Sequence, residues 1–152
     1  MNQLVRESPI NGSRWISLHD MQLTKVIFQK NSVVFFFENG FNIIEDDNVY
    51  RKTRGSINLL NCDSSDFTCN IIERRKTKQG VKLKGRPITL EGLNKMLVGE
   101  KKHVELFLEL YDFNHLYWRG EMHPYKQILN RRLAPLVIIE AMDFFPMVYS
   151  WE

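Results

Sequence analysis

The stretch VVFFFENGFNII, Val33 to Ile44, constrains the fold of this chain more than any other. Five apolar residues lead into Asn39-Gly40, and apolar residues resume directly after it. Asn-Gly is a strong hairpin signal, because both central residues of a type I′ turn need a positive φ. A strand with one face in water would alternate apolar and polar residues. This stretch is apolar on both faces, so we expect each face to be covered.

Period-two alternation recurs along the rest of the chain, and turn signals separate the segments every ~8–12 residues, a spacing typical of all-β domains. Thr89 is a suitable N-cap for a short helix ending near Gly99. Apolar residues at helical spacing predict a second helix over Pro124 to Leu133. The sequence therefore predicts a mainly antiparallel β-barrel or β-sandwich with one or two short helices, in a single domain over residues 1–152.

The turns at Asn31-Ser32 and Asn39-Gly40 predict a register for the first three strands. If both are two-residue loops, Phe36 lies opposite Ile27 on one side and Ile43 on the other. These three residues would form an apolar row. Either a helix or a second sheet of the same domain covers the row, or the row is a contact surface for a partner, a second copy of the chain or a small apolar ligand.

The opposite face of the same strands gives an alternative hypothesis. Phe28, Phe35 and Phe37 share that face in the predicted register. They either fill a core or line the lumen of a β-barrel that carries a small apolar ligand.

The charge of the chain is concentrated in one segment. The chain has 21 basic and 18 acidic residues; removing the seven basic residues of 74–86, which contains no acidic residue, leaves 14 against 18. A turn at Gln79-Gly80 would make this segment a hairpin with Arg75 opposite Lys84, a like-charge pair that is unfavourable without an anion nearby. The predicted partner-binding residues of this basic hairpin are Arg74, Arg75, Lys76, Lys78, Lys82, Lys84 and Arg86.

Two interpretations of the basic hairpin remain open. Lysines guard exposed strand edges against aggregation. Alternatively, they dock onto an acidic protein surface or a phosphate backbone. No aromatic residue lies among these charges, so stacking on single-stranded nucleic acid is disfavoured and an acidic protein is the favoured partner.

Candidate catalytic residues are sparse. Glu121 and His123, two apart on one strand face, could reach a common metal ion, but no further ligand accompanies them in sequence. Cys62 and Cys69 are predicted to be structural thiols, about 7–8 Å apart across a hairpin and too distant for an unstrained disulfide. No catalytic-triad order or phosphate-binding glycine loop is present. We therefore expect no metal site and no cofactor, and a metal-dependent or hydrolytic enzyme is the least favoured hypothesis.

The location follows from similar arguments. The N-terminal residues have no signal-peptide pattern, and the longest apolar runs, VVFFF and PLVII, are far shorter than the ~20 residues that cross a bilayer. The prediction is a small cytoplasmic, non-enzymatic binding protein that docks a macromolecule through the basic hairpin and the apolar row, with a homodimer as a further possibility.

Overall fold

The computed structural model describes residues 2–6, 14–46, 48–51, 54–112, 114–124 and 133–152. The helix predicted over Pro124 to Leu133 falls almost entirely outside them. Within them the chain forms one α-helix, α1 (Leu90–Gly99), and thirteen strands. The strands are β1 (Asn2–Arg6), β2 (Arg14–Ser17), β3 (Met21–Gln29), β4 (Ser32–Phe37), β5 (Asn42–Glu45), β6 (Asn48–Arg51), β7 (Gly55–Leu60), β8 (Phe67–Thr77), β9 (Gly80–Ile88), β10 (Lys102–Asp112), β11 (His115–Pro124), β12 (Leu136–Met142) and β13 (Met147–Trp151).

The strands form two sheets. Ten of them pair in the order β1-β13-β7-β4-β3-β10-β11-β12-β8-β9, and β2-β5-β6 form a separate three-stranded sheet. Every strand pair is antiparallel. The prediction of a mainly antiparallel β protein with a short helix is confirmed. In the described part of the chain, β1 and β9 are the two edges of the large sheet.

The large sheet curls around its own core. Phe35 on β4 lies 5.1 Å from the ring of Trp118 on β11 and 5.5 Å from the ring of Phe67 on β8, although other strands separate β4 from both in the sheet order. Such contacts require the inner face to be concave. The small sheet adds Ile43 to the same core.

Helix α1 packs on the inner face where β3 and β10 separate. Thr89 caps it by accepting a hydrogen bond from the Gly92 N–H at 3.0 Å, as the sequence predicts. Its buried side chains are Leu90, Leu93 and Leu97. Pairing between β3 and β10 covers only Met21–Leu23 on β3. Beyond that point the Oδ1 of Asn94 in α1 accepts the Val26 N–H at 2.8 Å, replacing a strand-to-strand bond.

Asn94 is therefore expected to contribute to stability through this acceptor. Asn94→Leu should lower the free energy of unfolding by about 1–3 kcal/mol, because it leaves the Val26 N–H without its partner. Asn94→Asp keeps an acceptor oxygen and should lose clearly less. Urea denaturation of both variants checks this, and equal losses in the two would contradict the assignment.

The turn predicted at Asn39-Gly40 is confirmed, but the hairpin predicted there is wrong. Gly40 has φ 73° and donates its N–H to the Phe37 carbonyl at 3.0 Å. The following strand, β5, nevertheless pairs with β2 and β6 and not with β4. The Asn39 side chain accepts the Gln22 N–H at 2.8 Å, which fixes the turn against β3. The turn thus carries the chain from one sheet to the other.

A β-bulge interrupts β10 between Leu106 and Leu108. The extra residue exchanges the faces of the strand, as bulges do. Before the bulge Leu106 points into the core; after it Glu109 points inward, and Leu110 is 56% exposed. Simple alternation along this strand would place Leu106, Leu108 and Leu110 on one face, and the bulge separates Leu106 from Leu110.

None of the described helices is long and apolar enough to cross a lipid bilayer.

Candidate functional site

The basic hairpin is formed by β8 and β9, and its far half projects from the sheet. β12 pairs with β8 only as far as Ile72. From Glu73 to Lys84 the two strands pair with each other and, in the described part of the chain, with no other strand. The prediction that this segment forms a hairpin agrees with this geometry. Its role in partner binding stays a prediction.

The register of the hairpin differs by two residues from the predicted one. The turn lies at Lys78-Gln79, and Gly80, with φ 126°, is the first residue of β9. Thr77 pairs with Gly80, so Lys82 faces Arg75 and Lys84 faces Glu73. The predicted pair of Arg75 with Lys84 is wrong. The like-charge contact persists with Lys82 in its place, because a shift of two residues keeps every side chain on its face.

The two faces of β9 have different chemistry. One face carries Lys82, Lys84 and Arg86, at ~6.6–6.8 Å intervals along the strand. The other carries Val81 and Leu83, which are 53% and 65% exposed. All three cations are exposed as well. Positively charged and apolar side chains therefore alternate along the strand, on its two opposite faces, and both kinds are exposed to water.

Arg74 belongs to the base of the hairpin and not to its free surface. Its Nη2 donates to Glu121 Oε1 at 2.8 Å, and its Nε donates to the Ala134 carbonyl at 2.9 Å. The side chain is 20% exposed. Arg74 thus ties β8 to its neighbours, and its charge is already engaged. The free basic surface, meaning Arg75, Lys76, Lys78, Lys82, Lys84 and Arg86, is exposed at every one of its positions.

The predicted apolar row of Ile27, Phe36 and Ile43 does not exist. The turn between β3 and β4 lies one residue earlier than predicted, so Ile27 is opposite Val34, and Phe36 is opposite Lys25. Ile43 is on the small sheet and is 1% exposed. Ile43 is part of the core and is therefore not available to a contact surface.

The faces of β3 and β4 were assigned correctly, because the register shift is again two residues. Phe35 and Phe37 are fully buried and point into the core. Phe37 packs 6.1 Å from the ring of Trp118 and 6.0 Å from that of Phe41. Phe28 is at the strand end and is 38% exposed. Phe35 and Phe37 therefore fill the core with aromatic contacts, which argues against their lining a ligand lumen together with Phe28.

Phe36 lines a cleft on the outside of the large sheet. The cleft has a volume of about 420 Å³, within the ~300–1,000 Å³ usual for ligand sites. Its charged residues are Lys25, Glu38, Arg54 and Glu152, two of each sign. The Lys25 ammonium lies 6.0 Å from the Phe36 ring centroid. This balance of charge selects no ligand class, so the cleft supports no specific function.

A polar cluster that the sequence did not predict lies inside the curled sheet. The Glu109 carboxylate accepts the Leu18 N–H, and the Arg6 guanidinium stacks 4.1 Å from the centroid of the Tyr111 ring. Trp118 Nε1 donates to the Tyr111 hydroxyl at 3.0 Å. Burial, opposed by the Leu18 hydrogen bond and by Arg6, raises the pKa of Glu109 to about 7. Burial also raises the pKa of Tyr111.

The contacts of this cluster link strands that are distant in the sheet. Arg6 is on β1, Glu109 and Tyr111 are on β10, and Trp118 is on β11, so the cluster joins the edge strand to the middle of the sheet. Sequence reasoning missed it because the bulge in β10 turns Glu109 inward. The signal available was Glu109 two residues before Tyr111, in a strand that alternates leucine with glutamate. Alternation alone assigns such a glutamate to the surface.

In the described part of the chain, no group of three or more His, Cys, Asp or Glu side chains could hold a metal ion. His123 Nε2 lies 3.4 Å from Glu121 Oε2, and the other oxygen of Glu121 accepts from Arg74. The His103 ring lies 5.7 Å from the His123 ring. Burial, together with the neighbouring His123, lowers the pKa of His103. These contacts form a polar network on the outer face of β10 and β11.

Cys62 and Cys69 are both free and buried. Burial, with a smaller effect from Asp66, raises the pKa of the Cys62 thiol to about 11. Burial, with Glu91, raises that of Cys69 to about 12. Thiolate is the reactive form of cysteine. Burial therefore favours the protonated form of both thiols near neutral pH, which fits the prediction of structural thiols.

Comparison with family models, with curated proteins and with solved structures finds no match to this chain.

Proposed function

We propose that this protein is a non-enzymatic binding protein that docks an acidic protein partner through the free basic surface of the β8–β9 hairpin. The observation that carries the proposal is the projection of the hairpin beyond Ile72, with exposed cations at every second residue of β9. Outside the segment 74–86 the chain has more acidic than basic residues. An acidic partner would therefore be steered to this hairpin and repelled elsewhere.

A protein partner fits this surface better than nucleic acid. Val81 and Leu83 alternate with the lysines and are more than half exposed. Protein interfaces combine apolar contacts with a charged rim, whereas phosphate contacts need only the charges. The hairpin also lacks an aromatic residue for base stacking. The proposed setting is the cytosol, where Cys62 and Cys69 remain reduced.

Charge reversal tests the proposal. Labelled poly-L-glutamate serves as the acidic probe, and duplex DNA of equal charge serves as the competing class. We expect Lys82→Glu/Lys84→Glu to weaken poly-glutamate binding at least about tenfold, because two cations become anions on the docking face. Binding by the unaltered protein should also weaken steeply with added salt.

The matched control is Lys30→Glu/Lys95→Glu, which makes the same net change at two exposed lysines outside the hairpin. It should retain most of the affinity. Equal losses in the two double variants would mean that net charge, and not the hairpin, drives binding. Tighter binding of DNA than of poly-glutamate at the same salt would replace the protein partner with nucleic acid.

A further inference from the structure

The outer edge of β9 has free backbone groups at regular positions. A two-residue turn hydrogen-bonds its closing pair, here Thr77 and Gly80, and hydrogen-bonded pairs then recur at every second residue. Lys82, Lys84 and Arg86 therefore direct their backbone groups toward β8. Val81, Leu83 and Gly85 direct theirs away from it. In the described residues no strand pairs with this side of β9.

Pro87 marks the same side as an edge. It pairs with Asn70 in register and lies at a position whose backbone points away from β8. Proline has no N–H and is tolerated in a sheet where that N–H would face solvent. The available groups on the edge are thus the N–H and C=O of Val81, Leu83 and Gly85, and the C=O of Pro87.

We propose that β9 binds an extended segment of its partner by strand addition, and that this segment carries Asp or Glu at alternate positions and apolar residues between them. This inference rests on the proposed function and adds its binding mode. A strand added to β9 would repeat every two residues at the ~6.6–6.8 Å interval that separates Lys82, Lys84 and Arg86. Alternate carboxylates would lie beside these cations, and the intervening apolar side chains beside Val81 and Leu83.

The charges on β9 argue against a second copy of the chain as the added strand. Pairing β9 with β9 of another copy puts the lysine-bearing faces of both strands on the same side of the joined sheet. Lysine and arginine side chains would then face one another at ~4.5–5.5 Å between Cβ atoms, which is destabilising. The same charges that repel another β9 attract an acidic strand.

The experiment uses a short synthetic peptide that alternates Glu and Val, and a copy with N-methyl groups on every second amide. Both peptides carry the same charge, but the methylated one cannot complete the backbone ladder on one edge. Each is titrated by fluorescence polarisation into the full chain and into Leu83→Pro, which removes one outward N–H. Leu83→Ala is the matched control, since it loses a side chain and keeps that N–H.

Strand addition predicts that the plain peptide binds at least about tenfold more tightly than the methylated one, and that Leu83→Pro loses at least about tenfold while Leu83→Ala loses much less. A second measurement needs no variant: amide exchange at Val81, Leu83 and Gly85 should slow when the plain peptide is bound. Equal binding of both peptides, with no slowing of exchange, would overturn strand addition.

The outcomes separate this inference from the proposed function. If Lys82→Glu/Lys84→Glu abolishes peptide binding while Leu83→Pro and methylation change nothing, docking is electrostatic and only strand addition is wrong. If none of these changes matters, the hairpin is not the docking surface and both proposals fail. A free protein that sediments as a dimer, with the β9 amides already protected, would make a second copy the occupant.

Discussion

Replacing Gly120 by alanine is expected to lower the free energy of unfolding by about 3 kcal/mol, near the upper end of the usual cost of overpacking. Gly120 is on β11, opposite Leu106 at the bulge of β10. A Cβ at this position would lie 2.4 Å from the Glu105 carbonyl oxygen and 2.7 Å from Val104 Cγ1. The carbonyl oxygen is backbone and cannot rotate aside, so the two strands would have to separate. Urea denaturation measures the loss.

The matched control is Gly99→Ala, at the last residue of α1. Nothing lies within 4 Å of a Cβ built there. Alanine is favoured over glycine in helices by ~0.5–1 kcal/mol, so this variant should be unchanged or slightly more stable. If Gly120→Ala unfolds at the same urea concentration as Gly99→Ala, the close approach of β11 to the β10 bulge is not a constraint on the fold.

The stability of the protein is expected to fall as the pH rises from about 4.5 to about 7, through the buried carboxyl of Glu109. Burial raises the pKa of this group from 4.5 to about 7 in the folded chain. The folded state therefore binds its proton more tightly than the unfolded state does. The stability gained from the protonated form is complete below pH 4.5 and is lost as the pH rises to 7, by about 3 kcal/mol in all.

Glu109→Gln should remove this dependence. The amide oxygen of glutamine can accept the Leu18 N–H, and the side chain has no charge to bury at any pH. The variant should match the original chain near pH 4 and exceed its free energy of unfolding by about 3 kcal/mol near pH 8. Chemical denaturation across that range gives the difference, which cancels the titration of all other groups.

Glu38→Gln, on the exposed surface, serves as the control and should leave the pH dependence in place. The result that contradicts the prediction is a Glu109→Gln variant less stable than the original chain at pH 8. That sign would mean that attraction to Arg6 outweighs the cost of burying the carboxylate. A difference that stays constant with pH would mean that Glu109 does not titrate in this window.

Local patterns in the sequence were sufficient for the β class of the fold, for the helix α1 and for the two hairpin turns to within one residue. Thr89 capped α1 where expected, and the basic segment 74–86 lies in a hairpin that leaves the core. The faces of β4 were also correct: Phe35 and Phe37 are buried. Each of these features depends on neighbours a few residues apart, such as an N-cap contact or the two-residue period of a strand.

Register and strand order were not predictable in the same way. Both hairpin turns lie one residue earlier than predicted, and each displacement shifts the pairing by two residues. The predicted register places Phe36 opposite Ile27, whereas the structure has Val34 there. This difference produced the predicted apolar row that the structure lacks. The sequence likewise does not predict that β5 belongs to the small sheet. Its partner β2 is far away along the chain, and no local signal identifies β2 as the partner.

By itself, the sequence determined that this chain is an antiparallel β protein with a capped helix and one concentrated basic hairpin. Alternation, capping and charge all depend on residues that are close together in the sequence. Only the tertiary structure decided which strands are edges and which residues face inward after the bulge at Leu106. Those features depend on pairing between distant segments. A single extra residue in one strand, as in the bulge of β10, is enough to exchange which side chains face inward.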